Sequence, residues 1–207
     1  MLTVACVWRK SEIYDNREWV DRLWSMVDRH LSIPHKFVCI TDEDVQGAVK
    51  PLIKHDKKPW WDKLNLFFLP GDRILYLDLD VVVQGDLSLL AIFPSDFAVA
   101  PSNGVPMRNN AFNSSVMVWD VDSKPIKTIR ELIPLHKPWE KWVGDQQWLS
   151  MMPIRVDLFP SRWIHKYHVV HGPYKPNRAT VVTLLIQGGK NKKLIEDGHD
   201  WIREYWR

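Results

Sequence analysis

The chain has 207 residues, of which 45% are apolar and 26% are charged, a composition typical of a globular domain of this size. Its 28 Lys and Arg against 25 Asp and Glu give a net charge of +3, too small a bias to indicate a nucleic-acid or membrane-surface partner. No apolar run approaches the roughly 20 residues that cross a bilayer, and the first residues lack signal-peptide features. We therefore expect a cytoplasmic protein without a transmembrane segment.

The cysteines and tryptophans give further information. Cys6 and Cys39 lie within apolar, strand-like runs, so they are predicted to be buried thiols and not a disulfide framework. The chain also contains 12 tryptophans, which is high for its length. Because indole rings stack on sugar faces and line ligand clefts, this excess favours a carbohydrate or nucleotide ligand.

The predicted elements alternate between strands and helices along the chain. A buried strand at Leu2–Trp8 is followed by a helix that begins at a capping box, Asp15-x-x-Glu18. Further strands are predicted at Lys36–Thr41, Arg73–Val83, Phe97–Ala100, Ser115–Trp119, Ile154–Phe159 and Val181–Ile186. Further helices are predicted at Trp60–Leu69, Lys124–Ile133 and Gly144–Met151, and a last helix within 195–207 is expected to dock on the core. Pro101–Asn110 and His165–Arg178 are predicted as loops.

This order predicts one α/β domain over residues 1–207, with a mostly parallel central sheet covered by helices. Ligands of such sheets bind beyond the carboxyl ends of the strands. Arg73–Val83 is the strongest predicted strand, and it carries Asp78 and Asp80. On a strand, residues i and i+2 point to the same face roughly 6–7 Å apart, so two carboxylates there need a cation, and a hard divalent ion with oxygen ligands is suitable. The alternative is that one Asp caps a turn while the other is solvated.

The run Leu75-Tyr76-Leu77-Asp78-Leu79-Asp80, with Gly85-Asp86-Leu87 after it, resembles the Asp-x-Asp region of GT-A-fold glycosyltransferases. It is especially similar to glycosyltransferase family eight, the group of glycogenin and the bacterial lipopolysaccharide galactosyltransferases. The resemblance implies that Asp78 and Asp80 bind Mn²⁺ or Mg²⁺ and that Asp78 also contacts the ribose and diphosphate of a UDP-sugar. It further implies a carbohydrate or glycoconjugate acceptor.

Other segments match this family in the same order. Lys63, in Trp60-Trp61-Asp62-Lys63-Leu64, matches a basic donor-contacting residue, and Tyr14 resembles the tyrosine that stacks on uracil. Asp42 follows the second strand, where the resemblance implies a contact to the base or ribose. Phe112-Asn113-Ser114-Ser115-Val116 resembles the segment that lines the donor-sugar pocket, and Asp145-Gln146 resembles a later pair that contacts the transferred sugar. Asn113, Asp145 and Gln146 are therefore the candidate catalytic residues, with Asp120 a candidate for completing the pocket.

The sequence departs from the family pattern at two places. Ser115 replaces a glycine, and the late segment Gln187-Gly188-Gly189-Lys190 lacks the histidine that serves the family as third metal ligand. Gln187 could supply an amide oxygen instead, or His168 or His171 could reach in from the preceding loop. Lys190 follows two glycines and is a candidate diphosphate contact.

Other functions are compatible with the same residues. Asp78-x-Asp80 also fits the nucleophile motif of haloacid-dehalogenase-like phosphatases, although that motif belongs on a first strand. A nucleotidyltransferase would open with a glycine-rich phosphate loop, and residues 4–12 contain no glycine. A GT-A-like module that binds carbohydrate or nucleotide without catalysis is the remaining alternative. The spacing of His165, His168 and His171 does not match a standard zinc site.

Overall fold

The computed structural model describes residues 1–102, 112–167, 178–185, 193, 194, 197 and 199–207. The strands are β1 Leu2–Val7, β2 His35–Ile40, β3 Ala48–Val49, β4 Arg73–Leu77, β5 Val82–Val83, β6 Phe97–Pro101, β7 Phe112–Asp120, β8 Asp157–Leu158, β9 Ile164–Tyr167 and β10 Val182–Leu185. The α-helices whose bounds lie within the described residues are α1 Glu18–His30, α2 Ser88–Ala91, α3 Lys124–His136, α4 Pro138–Lys141, α5 Asp145–Ser150 and α6 Asp200–Tyr205. A 3-10 helix occupies Pro59–Phe68.

The central sheet has the strand order β3-β2-β1-β4-β7-β6-β8. Strand β1 runs parallel to both β2 and β4, β2 runs parallel to β3, and β6 runs parallel to β8. Only β7 is reversed, because it pairs antiparallel with β4 on one side and β6 on the other. The predicted α/β fold with a mostly parallel sheet is therefore confirmed. A second, three-stranded sheet has the order β5-β10-β9.

Helices cover both faces of the central sheet, which explains why its strands are apolar on both sides. Along β4, Leu75 and Leu77 face the layer that contains α1, whereas Ile74 and Tyr76 face the layer that contains the 3-10 helix and α3. The 3-10 helix buries Trp61, Leu64 and Phe67 at a three-residue spacing, which matches its three residues per turn. The predicted helix at Trp60–Leu69 is thus present, but as a 3-10 helix.

The end of the chain lies against α1. The ring centroids of Trp206 and Trp19 are 4.9 Å apart, and the guanidinium of Arg22 lies 4.3 Å from the centre of the Trp206 ring. Arg22 also donates a hydrogen bond of 2.6 Å to the carbonyl of Trp206. These contacts hold Trp206, the residue that follows α6, against α1. In the described part of the chain, every helix is too short or too polar to cross a bilayer.

Three predicted elements differ from the structure. The capping box does not form, because the helix begins at Glu18 and the carboxylate of Asp15 accepts a hydrogen bond from the Trp19 indole. The segment Ile164–Tyr167 lies largely within the predicted loop His165–Arg178, yet it pairs with β10 as β9. The predicted strand Arg73–Val83 is divided into β4 and β5.

The division of that strand changes the surroundings of both acidic residues. The amide of Asp78 still donates to the carbonyl of Ser115 on β7, at 2.9 Å. The amide of Val81 then donates to the carbonyl of Asp78 at 3.4 Å, which closes a turn. This turn carries the chain out of the central sheet, so that Val82 and Val83 pair with β10 in the second sheet. Asp78 and Asp80 therefore lie at a strand end and in a turn, and not side by side on one continuous strand.

Candidate active site

A cavity of about 660 Å³ opens at the carboxyl ends of β1 and β4. Because β7 is antiparallel to β4, its first residues lie at this same edge of the sheet. Five segments contribute to the wall: the loop after β1, the start of the 3-10 helix, the turn after β4, the start of β7 and the second sheet. Their polar members include Arg9, Glu12, Tyr14, Lys63, Asp78, Asp80, Asn113, Ser115 and Lys166. This is the position at which open α/β sheets bind ligands.

Lys63 is the cation at the centre of the site. Its Nζ lies 2.9 Å from Oδ1 of Asp78 and 3.7 Å from Oδ2 of Asp145. Burial alone would lower the pKa of Lys63, but the carboxylates of Asp145 and Asp78 more than compensate and raise it. The lysine therefore remains charged throughout the physiological range and joins two carboxylates from different elements.

Tyr76 completes the surroundings of Asp78. Tyr76 and Asp78 are two residues apart and lie on the same face at the end of the strand. The Tyr76 hydroxyl donates a hydrogen bond to the Asp78 carboxylate. Burial, followed by the charge of Asp78 and this hydrogen bond, raises the pKa of Tyr76, so the hydroxyl stays a donor. The carboxylate of Asp78 thus has a cation and a phenol as partners within the protein.

Asp80 has a different partner. It is 7% exposed and lines the cavity beside Tyr14. Burial raises the pKa of Tyr14, and the charges of Asp80 and Asp78 and a hydrogen bond to Asp80 raise it further. The Tyr14 ring also packs edge-on against Trp19, with centroids 5.1 Å apart. The loop after β1 is therefore held against the turn that carries both acidic residues.

The segment at the start of β7 is joined to the start of α5. The Ser114 hydroxyl donates to Oδ2 of Asp145 at 2.8 Å, and the Ser114 amide donates to the Gln146 side chain at 3.4 Å. The N-cap of α5 is Gly144, and no side chain caps this helix, so Asp145 does not serve as a capping residue. Asn113 lies in the cavity wall, and its amide oxygen accepts from the Ser115 amide at 2.7 Å.

Two candidate residues lie away from the cavity. Asp42 is exposed and borders a separate cavity of about 50 Å³, together with Arg9 and Asp62. Asp120 pairs with Arg73 at the amino end of β4, where it borders another cavity of about 750 Å³. The expectation that Asp120 completes the sugar pocket is therefore wrong, because β7 runs antiparallel and its two ends lie at opposite edges of the sheet. Gln187, Lys190, His168 and His171 lie outside the described residues.

One functional candidate was not predicted from the sequence. Lys166 on β9 lines the cavity from the second sheet, opposite Leu184 of β10 in the strand register. Within the ranges that the structure describes, Lys166 forms no ion pair, and burial lowers its pKa. The signal in the sequence is slight, since Ile164 and Tyr167 are two large apolar residues in a segment that otherwise resembles a loop. The structure buries both of them.

The donor atoms of the turn fit a hard divalent ion in part. Asp78 and Asp80 supply carboxylate oxygens, the ligand type that Mg²⁺ and Mn²⁺ prefer. In the described part of the chain, no group of three or more His, Cys, Asp or Glu residues is placed to hold a metal ion. A third protein ligand would therefore have to be an oxygen of another residue type or come from elsewhere in the chain.

Comparison with known proteins identifies the fold. No protein-family profile matches the sequence. The structure of galactosyltransferase LgtC in complex with donor and acceptor sugar analogues matches with a TM-score of 0.62 and 15% identity, over 99% of this chain and 94% of that chain. A glycosyltransferase involved in the glycosylation of the major capsid of PBCV-1 matches with a TM-score of 0.63 and 12% identity, over 95% of this chain and 98% of that chain.

A second pair of matches covers only part of the other protein. Glycosyltransferase GlyE of Streptococcus pneumoniae TIGR4 matches with a TM-score of 0.58 and 19% identity, over 98% of this chain and 51% of that chain. In sequence, the chain aligns with Glucose N-acetyltransferase 1 of Candida glabrata at 33% identity over 95 residues, and this alignment covers 44% of the chain. The match spans only 17% of that curated protein. The chain has the GT-A fold of glycosyltransferases, as the sequence predicted.

Proposed function

We propose that this chain is a glycosyltransferase that moves a sugar from a nucleoside diphosphate sugar to a carbohydrate or glycoconjugate acceptor, with a divalent metal ion. A UDP-sugar is the preferred donor, by family resemblance. The observation that carries the proposal is the chain of contacts from Asp78 through Lys63 to Asp145 at the carboxyl end of β4. It places a carboxylate suited to a metal, a buried cation and a carboxylate suited to sugar hydroxyls next to one another.

The reaction breaks the bond between the anomeric carbon and the diphosphate and forms a bond to an acceptor hydroxyl. Negative charge therefore develops on the leaving diphosphate, and groups that stabilise it lower the barrier. A divalent ion held by Asp78 and Asp80 would neutralise part of this charge. Lys63 and Lys166 line the cavity with half-buried side chains, and both would add positive charge near the diphosphate. Lys190 and Gln187 are proposed as a further diphosphate contact and a further metal ligand.

The donor also has to be held at its two ends. We assign the nucleobase and ribose to the side of the cavity that Tyr14 lines, and the sugar hydroxyls to Asn113, Asp145 and Gln146. Asp42 lies outside this cavity, so the proposed contact of Asp42 to the base or ribose is not carried further. A carboxylate accepts hydrogen bonds and an amide both donates and accepts, so the latter group suits neighbouring hydroxyls. The hydrogen bonds from Ser114 to Asp145 and Gln146 fix these side chains on rigid elements. Rigid placement matters because misplacement by about 1 Å can cost on the order of 100-fold in rate.

The phosphatase alternative fits the order of strands less well. Its nucleophilic aspartate belongs at the end of a first strand, but Asp78 follows β4, the fourth strand along the chain. A binding module without catalysis would have the same fold, so only an activity measurement separates it from an enzyme. The cytoplasmic location stays a prediction.

The experiment is a panel of sugar nucleotides incubated with the protein and Mn²⁺ or Mg²⁺, because glycosyltransferases slowly pass sugar to water. We expect metal-dependent release of the nucleoside diphosphate from at least one donor. Asp80→Asn should abolish this release, whereas Asp44→Asn, which removes an exposed carboxylate outside the cavity, should not. Binding of saccharides without nucleotide or metal, and no donor consumed, would instead identify a binding module.

A further inference from the structure

Two neighbouring tryptophans at the start of the 3-10 helix have opposite surroundings. Trp61 is 2% exposed in the core, whereas Trp60 is 41% exposed and lines the cavity. A 3-10 helix has about three residues per turn, so Trp60 lies on the same face as Lys63 and one turn before it. The exposed indole is therefore adjacent to the lysine that contacts Asp78 and Asp145.

The indole of Trp60 is also available for a ligand. Within the described ranges, its ring stacks on no other aromatic side chain and its Nε1 donates no hydrogen bond. Trp60 and Ile13 are large apolar residues that are exposed and that line the cavity. The wall beside them is polar, with the exposed side chains of Glu12 and Lys58. A flat apolar surface with a polar border suits a ligand that has an apolar face and hydroxyls at its edge.

The position of Trp60 indicates which part of the reaction it serves. A Cβ built on Gly144 would lie 3.6 Å from Nε1 of Trp60, so the edge of the indole contacts the start of α5. The next residue, Asp145, belongs to the proposed donor-sugar pocket. Trp60 thus borders the sugar-binding end of the site. The nucleobase is assigned to the side of the cavity that Tyr14 lines.

We propose that Trp60 is the platform on which the acceptor binds, and that the acceptor presents a pyranose ring to it. The axial C–H face of the ring would contact the indole, while Glu12 and Lys58 would contact its hydroxyls. This proposal rests on the proposed glycosyltransferase function, and it adds to that function a pyranose-containing acceptor and the residue that selects it.

The test compares Trp60→Ala and Trp60→Phe with wild type, and uses Leu135→Ala as control because Leu135 is 73% exposed and lies outside the cavity. The acceptor probes are methyl glucoside, methyl galactoside and lactose. We expect Trp60→Ala to raise the acceptor KM and to lower the ratio of transfer to hydrolysis, each by roughly tenfold or more. Trp60→Phe should retain most of the wild-type value, Leu135→Ala all of it, and UDP affinity with Mn²⁺ should be retained in every variant.

Two outcomes would overturn the assignment. If Trp60→Ala leaves the acceptor KM unchanged, the indole is not the platform. If it weakens UDP binding as much as acceptor binding, the ring stacks on the base. Failure of the wild type to hydrolyse any sugar nucleotide would contradict the proposed function, and the platform would then be judged from saccharide binding. In that case, saturation-transfer NMR with the same glycosides should show contacts in wild type that are lost in Trp60→Ala.

Discussion

The Nζ of Lys63 lies 2.9 Å from the carboxylate of Asp78, and the two side chains are only 12% and 19% exposed. Asp78 therefore already contacts a cation in the protein alone. A divalent ion at Asp78 has to displace Lys63 or lie beside it, and two cations near one carboxylate repel each other. The phosphates of a nucleotide would give Lys63 a second anionic partner and remove this conflict. We therefore expect metal and nucleotide to bind with positive coupling.

The first prediction measures this coupling. The Kd of Mn²⁺ should fall by at least about tenfold when UDP is present, and by thermodynamic linkage the Kd of UDP should fall by the same factor when Mn²⁺ is present. Isothermal titration calorimetry in both orders gives both factors, and their equality is an internal check. Equal Mn²⁺ affinity with and without UDP would show that Lys63 does not compete with the metal.

The second prediction separates the two partners of Lys63. In Lys63→Met, Asp78 and Asp145 lose their shared cation, so Mn²⁺ alone should bind more tightly while UDP binds more weakly. Mn²⁺ should also raise the Tm of this variant more than that of wild type, because it replaces a missing charge partner in the folded state. Lys63→Arg keeps the charge and serves as control. A parallel loss of affinity for metal and nucleotide in Lys63→Met would contradict the competition.

The fold could be predicted because its strands are buried on both faces and its helices have clear periodicity. The predicted strand Arg73–Val83 shows the limit of such patterns. Apolar residues precede, separate and follow the two aspartates, and no Gly or Pro interrupts the run. No local signal in the sequence therefore marks the turn at which the chain passes from the central sheet to the second sheet. That turn depends on the pairing of Val82 and Val83 with β10, about 100 residues later, which is a tertiary contact.

The site was predictable where the chain order alone brings residues to one edge. Asp78 ends a strand at that edge, and Asn113 begins the antiparallel strand beside it. The prediction that Asp120 completes the sugar pocket is wrong because β7 has nine residues. At about 3.3 Å per residue, the two ends of β7 are more than 20 Å apart. Lys166 was missed because a four-residue strand within a region rich in Pro and Gly gives too short a pattern to recognise.

The third prediction concerns Lys166. Because burial lowers its pKa, it loses its proton at a lower pH than an exposed lysine, whose pKa is about 10.4. The neutral amine no longer attracts phosphate, so UDP affinity should decrease as the pH rises, starting below the range of an ordinary lysine. In Lys166→Arg, the guanidinium stays charged and the decrease should move to higher pH. Calorimetry with Mg²⁺ over a pH series that ends below the range of an exposed lysine checks this, and Lys166→Met should bind UDP weakly throughout. Identical pH profiles for wild type and Lys166→Arg would exclude Lys166 from phosphate binding.

The last prediction concerns Asp145. Its carboxylate accepts from the Ser114 hydroxyl and lies 3.7 Å from Lys63, while Gly144 occupies the N-cap of α5. Asn can still accept the hydrogen bond from Ser114, but it lacks the charge and one of the acceptor positions that sugar hydroxyls would use. We expect Asp145→Asn to lower the turnover of donor by roughly tenfold or more, with nearly unchanged UDP affinity, as for an interaction that matters mainly in the transition state.

The control for Asp145→Asn is Glu140→Gln, which removes another acidic residue from the first turn of a helix at an exposed position. It measures the effect of losing a favourable charge at the helix dipole, which contributes about 0.3–1 kcal/mol. If Asp145 acts only through the dipole, both variants should lower Tm slightly and leave turnover unchanged. A selective loss of turnover in Asp145→Asn assigns the carboxylate to the transferred sugar.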